Sequence, residues 1–150
     1  MRIVIQRVSQ AELKVEGKTE GAIGKGLFVL LGIENDDNSS DMEWLVNKLL
    51  NLRIFNDENQ VMNYSLLDME GELMVISQFT LMAATKKGNR PSYIRAARHE
   101  TAIPLYEQFA SMSEKKLGKK IAKGIFGADM KVSLTNDGPV TIIIDSKNRE

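Results

Sequence analysis

The sequence predicts an α+β fold: one domain over residues 1–150, built on a mostly antiparallel sheet with two main helices. Three observations lead there. The first third alternates apolar and polar residues with the two-residue period of strands, two later stretches carry apolar residues at helical spacing, and no linker, repeat or low-complexity segment divides them. A chain of 150 residues buries enough apolar surface to fold without a metal or a disulfide.

The elements follow in order. RIVIQRVS and ELKVE alternate as strands, Gly17, Gly21, Gly24 and Gly26 punctuate, and GLFVLLGI is a short apolar run of the kind a buried strand shows. Ser40 and Glu43 make a capping-box pattern ahead of DMEWLVNKLLNL, in which Trp44, Leu45, Lys48, Leu49 and Leu52 share one helical face. RIF and ELMVISQF return to strand character, and AATKKGNRPSY reads as a polar, basic loop. A second helix is expected from about Thr101 to Leu117, with Ile103, Tyr106, Phe109, Ala110 and Leu117 inward and Pro104 in its first turn, where the missing N–H is harmless. KIAKGIF, MKVSL and VTIIID close the chain as strands.

Composition excludes several chemistries. With no cysteine there is no disulfide, thiolate nucleophile or thiolate metal site. His99 is the only histidine, without a carboxylate pattern that would make it a triad member, and reads as a surface or helix-start side chain. HExxH, Walker and GxGxxG motifs are missing, so neither metal nor cofactor is expected. The pairs Asp36-Asp37 and Asp57-Glu58 are flanked by Asn and read as exposed turns. The N-terminus lacks the apolar core of a signal peptide and no stretch has the length of a membrane span, so a cytoplasmic protein is expected.

Charge is balanced overall, with 20 basic and 20 acidic residues, yet unevenly placed. Residues 86–123 hold ten basic groups against three acidic ones, a local +7 that suits phosphate or a solvated helix face equally well. Two short segments offer site chemistry. VISQFTLMA delivers Ser77, Gln78 and Thr80 near a strand end, where alternation would put Gln78 and Thr80 on one face and Ser77 and Phe79 on the other. NDGPVTI places Gly138-Pro139 between two strand-like runs, as either a turn or a working piece of backbone: Gly lacks a Cβ, and X-Pro is the bond for which cis costs little.

SQFTL and NDGPVTI, at their separation and with IQRVSQAELKVEG, GLFVLLGI, LRIFND, NRPSY and GIFGADMKVSL around them, resemble the D-aminoacyl-tRNA deacylase family over essentially the whole chain. The resemblance implies a barrel-like sheet, a homodimer, and hydrolysis of the ester between a D-amino acid and the terminal adenosine of tRNA, with glycine wrongly attached to tRNA also removed. It implies that Gly138 and Pro139, joined by a cis bond, reach into the partner subunit's pocket. Their carbonyls would there hold the substrate's α-ammonium and exclude an L side chain, while Arg7 braces the motif. Ser77 and Gln78 would orient the terminal ribose and ester, the backbone amides of Phe79 and Thr80 would hold the oxyanion, and Phe126 and Met130 would contact the adenine. NRPSY departs from the family pattern at Asn89 and Tyr93, which bears on pocket shape. Two other readings stand beside this one: a non-catalytic module that binds tRNA 3′ ends through the basic segment, and an esterase with Thr80 as nucleophile. Nothing in the sequence supplies Thr80 with a base, so the tRNA's own 2′-hydroxyl is the favoured assisting group.

Overall fold

The computed structural model describes residues 1–150. Its framework is a long strand, β1 (Arg2–Val15), where the sequence suggested two shorter ones. Glu16 and Gly17 both take positive φ, closing a tight hairpin into β2 (Lys18–Ile23), and β3 (Gly26–Gly32) returns antiparallel along the first half of β1. The helix α1 (Ser39–Asn51) follows. Its cap is Asn38, whose side chain accepts from the Ser40 amide while Asp41 reaches back to the Asn38 amide. The expected Ser40/Glu43 box is thus displaced by two residues, because Asn38 offers the same acceptor one step outside the helix. The buried stripe is Met42, Leu45, Val46, Leu49 and Leu50, with Lys48 exposed.

A small ribbon of β4 (Phe55–Asn56) and β5 (Met62–Tyr64) precedes β6 (Glu72–Ser77). Strand β6 pairs parallel with β3, and the two-residue β7 (Ala122–Lys123) pairs parallel with β6, so the sheet is mostly antiparallel, as expected, with a parallel arm. Between them runs α2 (His99–Leu117), two residues longer at its start than expected, which puts Pro104 beyond the first turn. Ala102, Leu105, Tyr106, Phe109, Ala110 and Ser113 are its buried side, whereas Ile103 faces out. Last comes β8 (Met130–Asp145), one long strand that follows β1 along its whole length on the edge opposite β2 and β3.

The resulting sheet runs β2-β1-β3-β6-β7 with β8 added beside β1. Curling brings β2 against β7: a Cβ added to Gly21 would lie 3.2 Å from the Ala122 Cβ, so the sheet approaches a closed barrel. One face carries the main core, where Ile3, Ile5, Leu27, Val29 and Leu31 meet the stripes of α1 and α2. The opposite face holds a smaller cluster around Val8, Leu13, Phe28, Met74 and Ile76, and this side carries the cleft described next.

Candidate functional site

Strand β6 ends at Ser77, and the chain tightens at once into a 3-10 turn, Phe79–Met82. The Gln78 amide donates to the Leu31 carbonyl at 2.8 Å, which ties the start of this turn to β3. Strand alternation therefore does not extend through Thr80 as the sequence suggested. Instead the turn folds Thr80 back, and Gln78 Nε2 donates to Thr80 Oγ1 at 2.5 Å. Phe79 and Thr80 open a helical turn, where amides have no carbonyl of that turn to bond. They are the donors available for an anionic oxygen.

The turn borders a cleft of about 1020 Å³. Ser77, Gln78 and Phe79 form one wall; Phe126 and Met130 form another, over a floor that includes Phe28, Leu30 and Ile76. Volume and lining suit a ligand with an apolar planar part and a few polar attachment points. Phe126 is fixed edge-on between His99, 5.4 Å between ring centroids, and Tyr106 at 6.1 Å. Tyr106 is immobile in turn: its buried hydroxyl donates to the Val75 carbonyl at 2.8 Å and accepts from the Gly124 amide at 3.0 Å. Burial drives that hydroxyl well above the usual tyrosine range, against the pull of its backbone hydrogen bond at Gly124, so it stays protonated and acts as a strut. Phe79, exposed at the mouth, stacks edge-on with Tyr93 at 5.1 Å.

Gly138 and Pro139 lie elsewhere. They do not reverse the chain as a hairpin would: both halves of β8 keep to β1, and residues 137–140 bulge out between the pairs Val8↔Asn136 and Gln6↔Thr141. Their peptide bond is cis, and both residues are exposed. Arg7, opposite the bulge, is buried and holds it from beneath, donating from Nε to the Asp137 carbonyl at 2.8 Å and from a terminal nitrogen to the Ile54 carbonyl at 2.6 Å. Asn136 spans the bulge, donating to the carbonyls of Arg7 and Val140 and accepting from the Val140 amide. Neither Gly138, Pro139, Arg7 nor Thr80 lines the cleft of its own chain. One chain thus brings together Ser77, Gln78, Phe79, Phe126 and Met130, and presents the Gly-Pro step outward.

The family model described as D-Tyr-tRNA(Tyr) deacylase matches residues 4–145. The chain belongs to that family. It is 63% identical over the full length of both chains to the D-aminoacyl-tRNA deacylase of Flavobacterium psychrophilum, and 59% identical, again over both full lengths, to that of Bacteroides thetaiotaomicron. Among solved structures it is similar to a c-Myc DNA unwinding element binding protein, 41% identical with a TM-score of 0.92 over 97% of this chain and 98% of the other. A structure of a probable eukaryotic D-amino acid tRNA deacylase, 20% identical over 96% and 98% of the two chains, shares the fold with a TM-score of 0.83.

Several side chains of this deacylase-family member sit where sequence reasoning did not put them. His99 starts α2 as expected but also lines the cleft, and Asn136, whose neighbours in sequence drew the attention, holds the bulge. The basic segment divides: Lys86, Lys87 and Arg90 stand exposed on the loop, Arg95 pairs with Glu34, Arg98 takes the N-cap position of α2 and lines the cleft, and the five lysines from Lys115 to Lys123 gather at the far end of α2, a helix about 28 Å long at 1.5 Å per residue. At that far end Lys119 donates to the Glu70 carbonyl, and Lys120 and Lys123 pair with Glu114 and Glu107. Asp57 does organise a turn, accepting from the amides of Asn59 and Val61. Asp37 departs from expectation, being buried against the Met1 α-ammonium at 2.5 Å and Lys147 at 3.1 Å. Glu34, Asp36 and Asp37 lie close enough together to hold a cation, but Arg95, Lys147 and the Met1 ammonium already neutralise them.

Proposed function

We propose that this protein is a hydrolase that cleaves the ester between a D-amino acid and the 3′-terminal adenosine of tRNA, releasing both and keeping D-residues out of translation. The observation that carries the reading is the union, in one cleft, of the amide-presenting turn after Ser77 with the aromatic wall at Phe126, in a chain whose full-length relatives are D-aminoacyl-tRNA deacylases. The adenine lies against Phe126 and Met130. Ser77 and Gln78 orient the ribose, and water attacks the ester carbonyl as the oxyanion forms against the amides of Phe79 and Thr80. Collapse of the tetrahedral intermediate expels the ribose 3′-oxygen. The neighbouring 2′-hydroxyl assists proton transfer, because Thr80 Oγ1 is met by the Gln78 amide and by no base. One well-placed oxyanion donor is commonly worth about 3–4 kcal/mol of barrier, which suits an ester already labile in water.

Chirality is read by backbone. The exposed Gly138-Pro139 step, held by Arg7 and Asn136 and absent from its own chain's cleft, is supplied to the cleft of a second copy, so the working unit is a homodimer. Its carbonyls hold the α-ammonium and its bulk excludes an L side chain, so selection works by rejection. Glycine has nothing to reject, and glycyl-tRNA is a substrate on the same logic.

The test is hydrolysis of D-Tyr-tRNA beside L-Tyr-tRNA by the purified protein, with EDTA present. Rapid loss of the D-ester alone is expected. If both esters persist while tRNA is still bound, the protein is a non-catalytic 3′-end binder.

A further inference from the structure

Three residues stand in a row across the sheet on the far side of the catalytic turn. Arg2 on β1 faces Gly32 on β3 along one edge and Asp145 on β8 along the other, so all three point to the same face. Gly32 leaves that face bare. A Cβ there would come within 2.7 Å of Met82 Cε and 2.9 Å of Leu81 Cβ, so the 3-10 turn rests directly on its backbone. Arg2 fills the neighbouring position and reaches over, donating from one terminal nitrogen to the Leu81 carbonyl at 2.9 Å. Asp145 takes the other side of the fork, accepting from Nε at 3.0 Å and pairing with the second terminal nitrogen at 2.9 Å.

We infer that Arg2, braced by Asp145 and seated beside Gly32, is a positioning residue that clamps the turn Phe79–Met82 and so fixes the direction of the Phe79 and Thr80 amides. Leu81 is the single carbonyl of the turn held by a charged side chain, and it lies two peptide planes from the Thr80 amide and three from that of Phe79. The turn has only four residues; the Gln78 amide ties its start to β3, and beyond that its flanking backbone bonds are Leu81 to Gln78 at 3.2 Å and Ala83 to Thr80 at 3.1 Å, none of which fastens its far end to the sheet. A planar guanidinium suits the task because its fork grips a carboxylate and a carbonyl at once, whereas an ammonium is a point donor. Arg2 touches no part of the cleft, so its influence on the reaction passes through the turn alone.

The inference rests on the deacylase reading, and two readouts keep the two apart: steady-state hydrolysis of D-Tyr-tRNA, and backbone amide exchange of residues 78–83. In Arg2→Ala, kcat is expected to fall about tenfold with KM within about twofold, as for a misplaced catalytic group. Exchange in the turn should rise while the β3 amides stay protected, and Tm should move by about 3 °C or less, as for a partly exposed pair. Arg2→Lys should restore part of kcat, and Asp145→Asn should lose part of it. Unchanged exchange in Arg2→Ala, or losses in kcat that track a general fall in Tm, would overturn the clamp. A wild type that leaves D-Tyr-tRNA intact, with exchange still raised in Arg2→Ala, would keep the clamp and remove the deacylase reading.

Discussion

Thr80 separates two mechanisms by a single hydroxyl. Its Oγ1 receives the Gln78 side-chain amide and faces no carboxylate or imidazole, so it lacks the base a nucleophilic hydroxyl needs. Thr80→Val should therefore keep kcat within about tenfold of wild type, since its backbone amide remains in place. A trapped acyl-enzyme in the wild type, with turnover abolished in the variant, would establish the nucleophile instead. Gly138 makes a complementary case. A Cβ built there overlaps the Val140 amide nitrogen and approaches Asn136 Oδ1 to 2.5 Å, so Gly138→Ala must displace the side chain that spans the bulge. Loss of D-Tyr-tRNA hydrolysis by at least about tenfold is expected, with the far-UV spectrum intact. Ser77 and Gln78 stand out in the chain because they end a strand-like segment, whereas Phe126 and Met130 were named only through the family resemblance; all four line one cleft. Asn136 escaped because its role depends on carbonyls of Arg7 and Val140, and the first of these lies 129 residues away.

Helix α2 matters to the cleft through Tyr106. It is fully buried, joins the Val75 carbonyl of β6 to the Gly124 amide, and supports the ring of Phe126. Tyr106→Phe removes the hydroxyl from the Val75 carbonyl and the Gly124 amide, which keep their own bond at 3.1 Å, and should cost about 0.5–1.5 kcal/mol of stability, read from urea unfolding. Since Phe126 keeps its aromatic neighbour, KM for D-Tyr-tRNA should change little. The helices were legible in outline because apolar spacing is local. Their ends were not: Asn38 and Asp41 won the first cap over Ser40 and Glu43, and α2 begins at His99 without a side-chain cap for the sequence to display. Strand β6 was overextended for a similar reason. SQF reads as strand by composition, and only the packing of the next turn on Gly32 ends it.

At the scale of the whole molecule, carboxylates held by backbone amides in turns, and by Arg2 at the closing strand, set the acid limit of the fold. Asp57 is held below the usual carboxylate range chiefly by the Val61 amide, and Asp68 by the Ser65 backbone. Burial pushes Asp145 upward, but the Lys147 amide and the Arg2 guanidinium outweigh it, and it too lies low. A carboxyl whose pKa falls on folding stabilises the fold above its unfolded value, and that contribution is lost as pH drops through the lower folded value. Tm should be level down to about pH 5 and fall below about pH 4; a midpoint unchanged at about pH 2 would contradict the assignment. The α+β class was legible because strand alternation survives at every scale. The barrel-like curl was reached only through the family resemblance, and the parallel β3-β6 pair and the buried Met1–Asp37 contact were not legible at all, since each depends on partners far apart in sequence.

Strand β1 carries a further consequence, in time rather than in space. One of its edges belongs to β8, and the Arg2–Asp145 contact closes a span of 143 residues. At typical synthesis rates that edge stays bare on the ribosome for on the order of ten seconds, long after β2 and β3 have emerged to cover the other. The nascent chain is thus a half-made sheet with an open template of backbone donors and acceptors, which any passing strand can extend. The Gly-Pro bulge falls midway along the strand that finally occupies it, so this exposed step takes its shape only when the sheet itself is sealed.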